Sequence, residues 1–411
     1  MNSGCQVSRI VKVEVRDRYG NLKAVAEKTQ PTLSLYKRVV VKDEAGEIKE
    51  DSGLQPAHSF TINFLKFLEA HWRMRSDSTD TGDYTWKPDV PAQDVTNTQR
   101  TIQTNSAYRD VSRYSHMLAT AGDGDANYGI VLGTGVGAES NADYALGTKI
   151  ASGTGSGQLD YGPQSFVTPY VNGSYIDFVL SRSFYNASGS PITVTEFGLY
   201  IKNGNYYFCW IRDLEANGKT VLAGDTMVVQ YTIRCGAGWV LNFLYGLKSY
   251  MENITYNDKL SANGTTPDYV DDSDNATMTG IPCGYWGANN WNNDATRGLV
   301  VGSGNDAEAF TDYKLQTQIP NTTLTHLNEN WTTAAVVGSN VDLIMSRSFY
   351  NPGASPATVT ELAFYAGAGS NHTTGLGSAF CLIRDHLGAG VTIDPGDTGT
   401  VQYTWRTNVA D

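Results

Sequence analysis

Residues 129–233 and 298–406 are two copies of one sequence unit, so whatever plan the first copy folds into, the chain must accommodate twice. Ser181-Arg182-Ser183-Phe184-Tyr185-Asn186 returns letter for letter as Ser346-Arg347-Ser348-Phe349-Tyr350-Asn351. Similarity at this spacing marks duplication of a domain-sized unit, because solenoid repeats recur every 20–50 residues or so. Side chains kept in both copies are candidates for holding the fold, and those found in one copy are candidates for separate roles.

The copies stay in register except at turn-like segments. Gly129 to Gly135 matches Gly298 to Gly304, and Asp143-Tyr144-Ala145-Leu146 matches Asp312-Tyr313-Lys314-Leu315, both 169 residues on. The offset is 165 for the hexapeptide and for Pro191 to Glu196 against Pro356 to Glu361. It is 172 for Phe208 to Asp213 against Phe380 to Asp385, and for Val229 to Thr232 against Val401 to Thr404. Loops tolerate such length changes, as a duplicated antiparallel sheet requires.

Within a copy, Ile176, Phe178, Leu180, Arg182 and Phe184 alternate with Asp177, Val179, Ser181 and Ser183, the period of a strand. Asn186 to Pro191, and Asn351 to Pro356, supply the following hairpin turn. Before each copy lies a helical stripe: Phe60, Phe64, Phe67, Leu68 and Trp72, with Ser59 as N-cap, then Trp239, Phe243, Leu247 and Met251 at a constant offset of 179. Long polar segments, 73–128 and 252–297, follow the helices and do not align with each other.

The N-terminal segment differs in kind. Val11, Val13 and Val15 alternate with charged residues, Tyr19-Gly20-Asn21 makes a turn, and a second run spans Tyr36 to Val41. Asp43 to Gly46 then returns a hairpin through Glu47-Ile48-Lys49. Residues 1–56 hold 10 of the 30 lysines and arginines but 8 of the 42 acids, so this segment is slightly cationic and the remainder strongly anionic. The expected fold is therefore mainly β: two antiparallel β-sandwich domains, each with one packed helix, plus an N-terminal β-hairpin arm. The boundaries are 1–56 for the arm, 57–236 for the first repeat and 237–411 for the second.

A net charge of −12 argues against a nucleic-acid groove as the main function. No apolar run reaches membrane-spanning length, and the first residues do not read as a signal peptide, so synthesis in the cytoplasm without export is expected. The five cysteines, Cys5, Cys209, Cys235, Cys283 and Cys381, show no C-x-x-C spacing and predict neither a disulfide framework nor a zinc site.

The glycine turns at 133–135 and 302–304 lack the spacing of phosphate loops and read as strand ends. Asp123-Gly124-Asp125-Ala126-Asn127 opens like a calcium loop, but Thr134 stands where the twelfth-position Glu belongs. Asp268, Asp271, Asp272 and Asp274 have no ligand periodicity. Glu196 and Glu361, Arg212 and Arg384, Asp213 and Asp385, and Arg182 and Arg347 are kept in both copies. A catalytic reading pairs Glu196 with Asp213 as acid and base; the alternative is a structural ion pair or a subunit contact. No histidine is shared between the copies, so the structural reading is preferred, with no cofactor and no metal expected. Phe184 and Phe349, Pro191 and Pro356, Glu196 and Glu361, Arg212 and Arg384, and Gln230 and Gln402 are the expected fold-maintaining pairs. Tyr285, Trp286 and Trp291, set among asparagines, form a candidate subunit interface, with core or loop packing and then glycan stacking as the alternatives.

The ordered set of Gly129 to Gly135, Asp143 to Leu146, Ser181 to Tyr200 and Cys209 to Ile233 resembles virion structural proteins of tailed bacteriophages. In these an R-x-F-x-N-x-S-G-x-x-I-T-V-x-E-x-G-L-Y hairpin follows a G-I-V-V-G-T-G strand. The likeness covers both β portions. The second copy departs at Ala363, where the pattern has Gly. The resemblance implies a non-enzymatic particle component of a tail, connector, fibre or capsid surface, whose partners are further copies of itself and other virion proteins. A receptor- or glycan-binding adhesin is the second expectation.

Overall fold

A computed structural model describes residues 6–57, 60–73, 89–104, 117–252, 295, 297–367 and 379–408. In chain order the first elements are β1 (Gln6–Arg16), β2 (Leu22–Lys42), β3 (Ile48–Asp51), β4 (Gln55–Pro56) and α1 (Ile62–Trp72). Then come β5 (Pro91–Gln93), β6 (Gln99–Thr101), β7 (Gly129–Gly133), β8 (Asp160–Tyr161), β9 (Ser165–Phe166) and β10 (Tyr170–Asn172). The first repeat closes with β11 (Tyr175–Tyr185), β12 (Ile192–Asn203), β13 (Tyr206–Val221) and β14 (Thr226–Cys235). The second comprises α2 (Leu241–Glu252), β15 (Gly298–Gly302), β16 (Thr325–Val337), β17 (Asn340–Tyr350), β18 (Ala357–Gly367), β19 (Ala379–Ile393) and β20 (Thr398–Asn408).

The protein is mainly β, with one large curled antiparallel sheet and smaller antiparallel sheets. The path of the large sheet is β10-β11-β14-β2-β1-β20-β17-β16, and the small sheets β13-β12-β7 and β15-β18-β19 belong to one repeat each. The duplication is visible as a pseudo-twofold: β11 and β14 of the first repeat mirror β17 and β20 of the second.

The N-terminal hairpin is the correction. It is not a free arm; β1 lies between β2 and β20, and the second half of β2, Leu33 to Lys42, pairs with β14, so the hairpin is built into the large sheet. With a strand on each side, β1 has no edge left for a neighbouring chain. The physical reason lies in the alternation. Val7, Val11, Val13 and Val15 on β1, and Leu33, Leu35, Val39 and Val41 on β2, all point to one face and are buried. A hairpin with so apolar a face has to cover a core. Here it fills the gap between two half-sheets that do not pair with each other.

The helices also join the repeats. Each starts on its own small sheet, where Phe60 bridges to Ile211 and Trp239 to Ile383. The stripe residues of both helices are buried as expected. Beyond their first turns, α1 packs on β16 and β17 of the second repeat, and α2 packs on β11 of the first. Thr61 is the N-cap position of α1, but its hydroxyl accepts no N–H of the helix and donates instead to the Cys209 carbonyl (2.5 Å). Ser59 lies outside the described residues. One core cluster runs through both repeats and the hairpin, including Val11, Phe64, Trp72, Trp210, Trp239 and Trp405.

Candidate functional site

The shared charged residues converge at one place in each small sheet. Glu196 sits on β12 where Gly133 of β7 lies opposite it, and its side chain is fully buried. The carboxylate accepts the N–H groups of Gly135 (2.9 Å), Gly147 (2.9 Å) and Thr148 (3.1 Å). Arg212 donates to it from Nε (3.0 Å) and Nη2 (2.7 Å), and from Nη1 to Asp143 (2.8 Å). The remaining guanidinium protons go to the Ala138 and Gly137 carbonyls. Burial alone pushes the Glu196 carboxyl up, but the Gly147 N–H, the guanidinium and the Thr148 N–H outweigh it and hold the pKa below the ordinary value. The glycine turn is part of this clasp. A Cβ on Gly135 would collide with the Glu196 carboxylate, so the turn takes no side chain there.

The second repeat repeats the clasp atom for atom in kind. Glu361 accepts the N–H groups of Gly304 (3.0 Å), Gln316 (3.1 Å) and Thr317 (2.8 Å). Arg384 donates to Glu361 (3.1 Å), to Asp312 (2.8 Å) and to the Ala307 and Asp306 carbonyls. Thr195 and Thr360 hydroxyls hold the Gly135 and Gly304 carbonyls at 2.8 and 2.7 Å.

Asp213 and Asp385, next along the strands, point to the opposite face, as neighbours on a strand do. Each meets a cation from the N-terminal hairpin. Lys37 of β2 pairs with Asp213 at 2.7 Å, and Arg9 of β1 pairs with Asp385 at 2.5 Å. The Tyr403 hydroxyl donates to Asp385 as well (2.7 Å). The Lys37 ammonium lies 4.4 Å from the Phe197 ring centre, and the Arg9 guanidinium lies 5.8 Å from Trp239 and 5.9 Å from Tyr403. Outside the core, Lys49 pairs with Asp225 and Lys23 with Asp397, again one cation to each repeat at equivalent aspartates. The cationic N-terminal segment thus neutralises acids of both repeats.

The acid–base pairing of Glu196 with Asp213 does not form, because the two carboxylates face opposite sides of the sheet and each is bound by its own cation. The hexapeptide is structural too. All five Arg182 N–H donors reach carbonyls, those of Gly162, Tyr128, Ile130, Gly122 and Asp125. Arg347 does likewise toward Leu327, Arg297 and Leu299. Asn186 and Asn351 close their hairpin turns onto Ser190 and Ser355. Phe184 and Phe349 are buried, stacking edge-on against Tyr161 and His326 at 4.8 Å. Gln230 and Gln402 lie mid-strand opposite Arg38 and Lys12, half-buried.

The loop that opens like a calcium site is turned to other use: Asp125 accepts from the Asn127 N–H and amide, and its carbonyl takes Arg182. Among the described residues, no cluster of three or more His, Cys, Asp or Glu side chains suits a metal ion, and no helix is long and apolar enough to cross a membrane. Cys209, Cys235 and Cys381 are buried free thiols, with the Cys209 and Cys381 pKa values raised by burial. Tyr285, Trp286, Trp291, Cys5, Cys283 and the 268–274 acids lie outside the described residues.

Sequence reasoning missed Arg9 and Lys37, although the signal was present. Both stand in phase with the apolar residues of their strands, and a charge on the core face needs a buried partner. No family model, curated protein or solved structure matches the chain.

Proposed function

We propose that this chain is a structural, non-enzymatic component of a tailed-bacteriophage particle. In this reading it assembles with itself and with other virion proteins into a symmetric tail, connector or capsid-associated oligomer, after synthesis in the host cytoplasm. The observation that supports it best is where the shared charges go. Glu196, Arg212, Asp213, Arg182 and their counterparts are all tied up inside the molecule, by backbone groups, by one another or by the hairpin. What was duplicated is therefore a frame, each unit read as a helix-bearing β-sandwich, and the resemblance of its strands to virion proteins gives that frame a setting. The unaligned segments 73–128 and 252–297 are where partner specificity would differ between the copies.

The test is direct. Purified particles should contain the chain in a fixed stoichiometry by mass spectrometry, and a cryo-EM reconstruction should place it at a symmetric position. A chain absent from intact particles, and monomeric at high concentration, sinks the proposal. The adhesin reading rests on Tyr285, Trp286 and Trp291 among asparagines. Glycan-array binding abolished by Trp286→Ala and Trp291→Ala would favour it instead.

A further inference from the structure

Among the described residues, the main path of the large sheet ends on β10 and β16, each paired along that path on one side, and the duplication has made these ends alike. Val336 pairs with Val341 and Val337 with Asn340 at one end; Val171 pairs with Ile176 and Asn172 with Tyr175 at the other. Val171-Asn172-Gly173-Ser174 and Val336-Val337-Gly338-Ser339 are thus equivalent hairpin tips, 165 residues apart. Their glycines turn with φ of 60° and 66°.

Both tips expose apolar side chains. Val336 and Val337 are 54% and 52% exposed, and Val167, Tyr170, Val171 and Tyr175 are 43–49% exposed. A sheet edge offers a row of backbone N–H and C=O groups, and proteins that keep it free blunt it with lysine, proline or bulges. β16 carries one charged residue in 13, Glu329, which is buried and takes the Leu299 N–H. β10 carries none. The two bulges of β16 fall between His326 and Glu329 and between Thr332 and Ala335, upstream of the Val336–Val337 tip.

We propose that the β16 end of one copy pairs antiparallel with the β10 end of the next, joining copies head to tail into one continuous sheet. The proposal rests on reading the chain as an assembling scaffold, and it names the surface. An edge of this kind is completed by another strand. Strand parity then selects the orientation. The path holds eight antiparallel strands, so β10 and β16 run in opposite directions. A second copy added end to end continues the alternation without reversing a strand or turning the sheet over. Because the two tips descend from one duplicated hairpin, the contact brings like against like around a local pseudo-dyad. The curl of the sheet turns each added copy, so the contact generates a ring where the rotation closes and a filament where it does not.

Light scattering on the full-length chain over a concentration series provides the test. The variants are Val336→Lys with Val337→Lys, and Tyr170→Lys with Val171→Lys. Near-UV circular dichroism and melting temperature within a few degrees of wild type establish that each still folds. The expected result is a concentration-dependent wild-type oligomer, with each variant monomeric alone. An equimolar mixture of the two should form a dimer and stop there, since one good β10 end meets one good β16 end. Loss in the β16 variant alone would indicate a symmetric β16–β16 contact and overturn the proposal. So would oligomers unaffected by either variant, or a wild type monomeric throughout. Incorporation into particles is scored separately: a monomeric chain still found in particles removes this contact and leaves the proposed function standing. An edge-dependent oligomer absent from particles does the reverse.

Discussion

The two repeats solve the same problem with different parts. In each, an aspartate next to the clasp arginine is buried and must be neutralised. The first repeat takes a lysine from β2, and the second takes an arginine from β1. The Lys37 ammonium is a compact charge set over one ring, whereas Arg9 presents a planar group to Trp239 and Tyr403. The outer edges differ as well. Opposite β11 the first repeat places three short strands, β8, β9 and β10, while opposite β17 the second places the single long β16. Tyr161 and Gln164 of the first edge become His326 and Glu329 in the second. Duplication preserved the inward ties and let the periphery diverge, as expected when a core tolerates less change than a surface.

The severest way to break this comparison is to remove its cations. Arg9→Met and Lys37→Met each take the nearest cation from a buried carboxylate, a loss of about 3–5 kcal/mol. Urea denaturation should show it as a lower midpoint. Because the core is continuous through both repeats, each variant should still unfold in one transition; separate melting of the repeats contradicts the shared core. Adding Asp385→Leu and Tyr403→Phe to Arg9→Met should restore much of the loss, since apolar side chains then replace the buried ion pair and leave no hydroxyl orphaned.

Removing a clasp carboxylate comes next. Glu196→Gln and Glu361→Gln should each cost about 2–3 kcal/mol, the range for hydrogen bonds to a charged group. For Glu196 the pH dependence is specific. Its folded pKa lies below the unfolded one, so its contribution is complete above the ordinary glutamate range and disappears as pH falls through the folded value. Thermal melts between neutral and acid pH should therefore flatten in Glu196→Gln at the acid end. An unchanged acid limb would contradict the assignment.

Gly135→Ala and Gly304→Ala should each cost roughly 1–3 kcal/mol, because the added methyl meets a carboxylate fixed by its own bonds. The two should agree closely if the clasps are equivalent. The smallest effect belongs to the divergent edge. The Tyr161 hydroxyl donates to the Ile150 carbonyl at 2.8 Å, and burial pushes its pKa up to about 12. Tyr161→Phe should cost about 1 kcal/mol, and a loss several times larger would mean that the edge matters more to the fold than the clasp comparison allows.

Much of this is legible in the sequence. The offsets between copies located the strands, because strands conserve length and turns do not. The helical stripes of Phe60 to Trp72 and Trp239 to Met251 identified buried faces correctly. Glu196 and Arg212 could each be named as kept in both copies, but that they pair was not legible, and the other partners of Glu196, the N–H groups of Gly135, Gly147 and Thr148, carry no side-chain signature. Glu196 and Asp213 looked like candidates for one site because the face each presents is decided only when β12 and β13 pair, with Glu196 opposite Leu214 and Asp213 opposite Phe197.

What the sequence determined by itself is periodic and local: strand alternation, helix faces, turn glycines, and the existence of two equivalent units. Each of those is a property of a few adjacent residues, so a linear reading captures it. What only the tertiary structure decided is non-local. That β1 and β2 lie between the repeats, that each helix crosses to the other repeat, and that Arg9 reaches Asp385 depend on which apolar faces find each other. Several arrangements bury the same faces. The buried charges favour the observed one, because with the hairpin at the centre Lys37 and Arg9 each reach an aspartate.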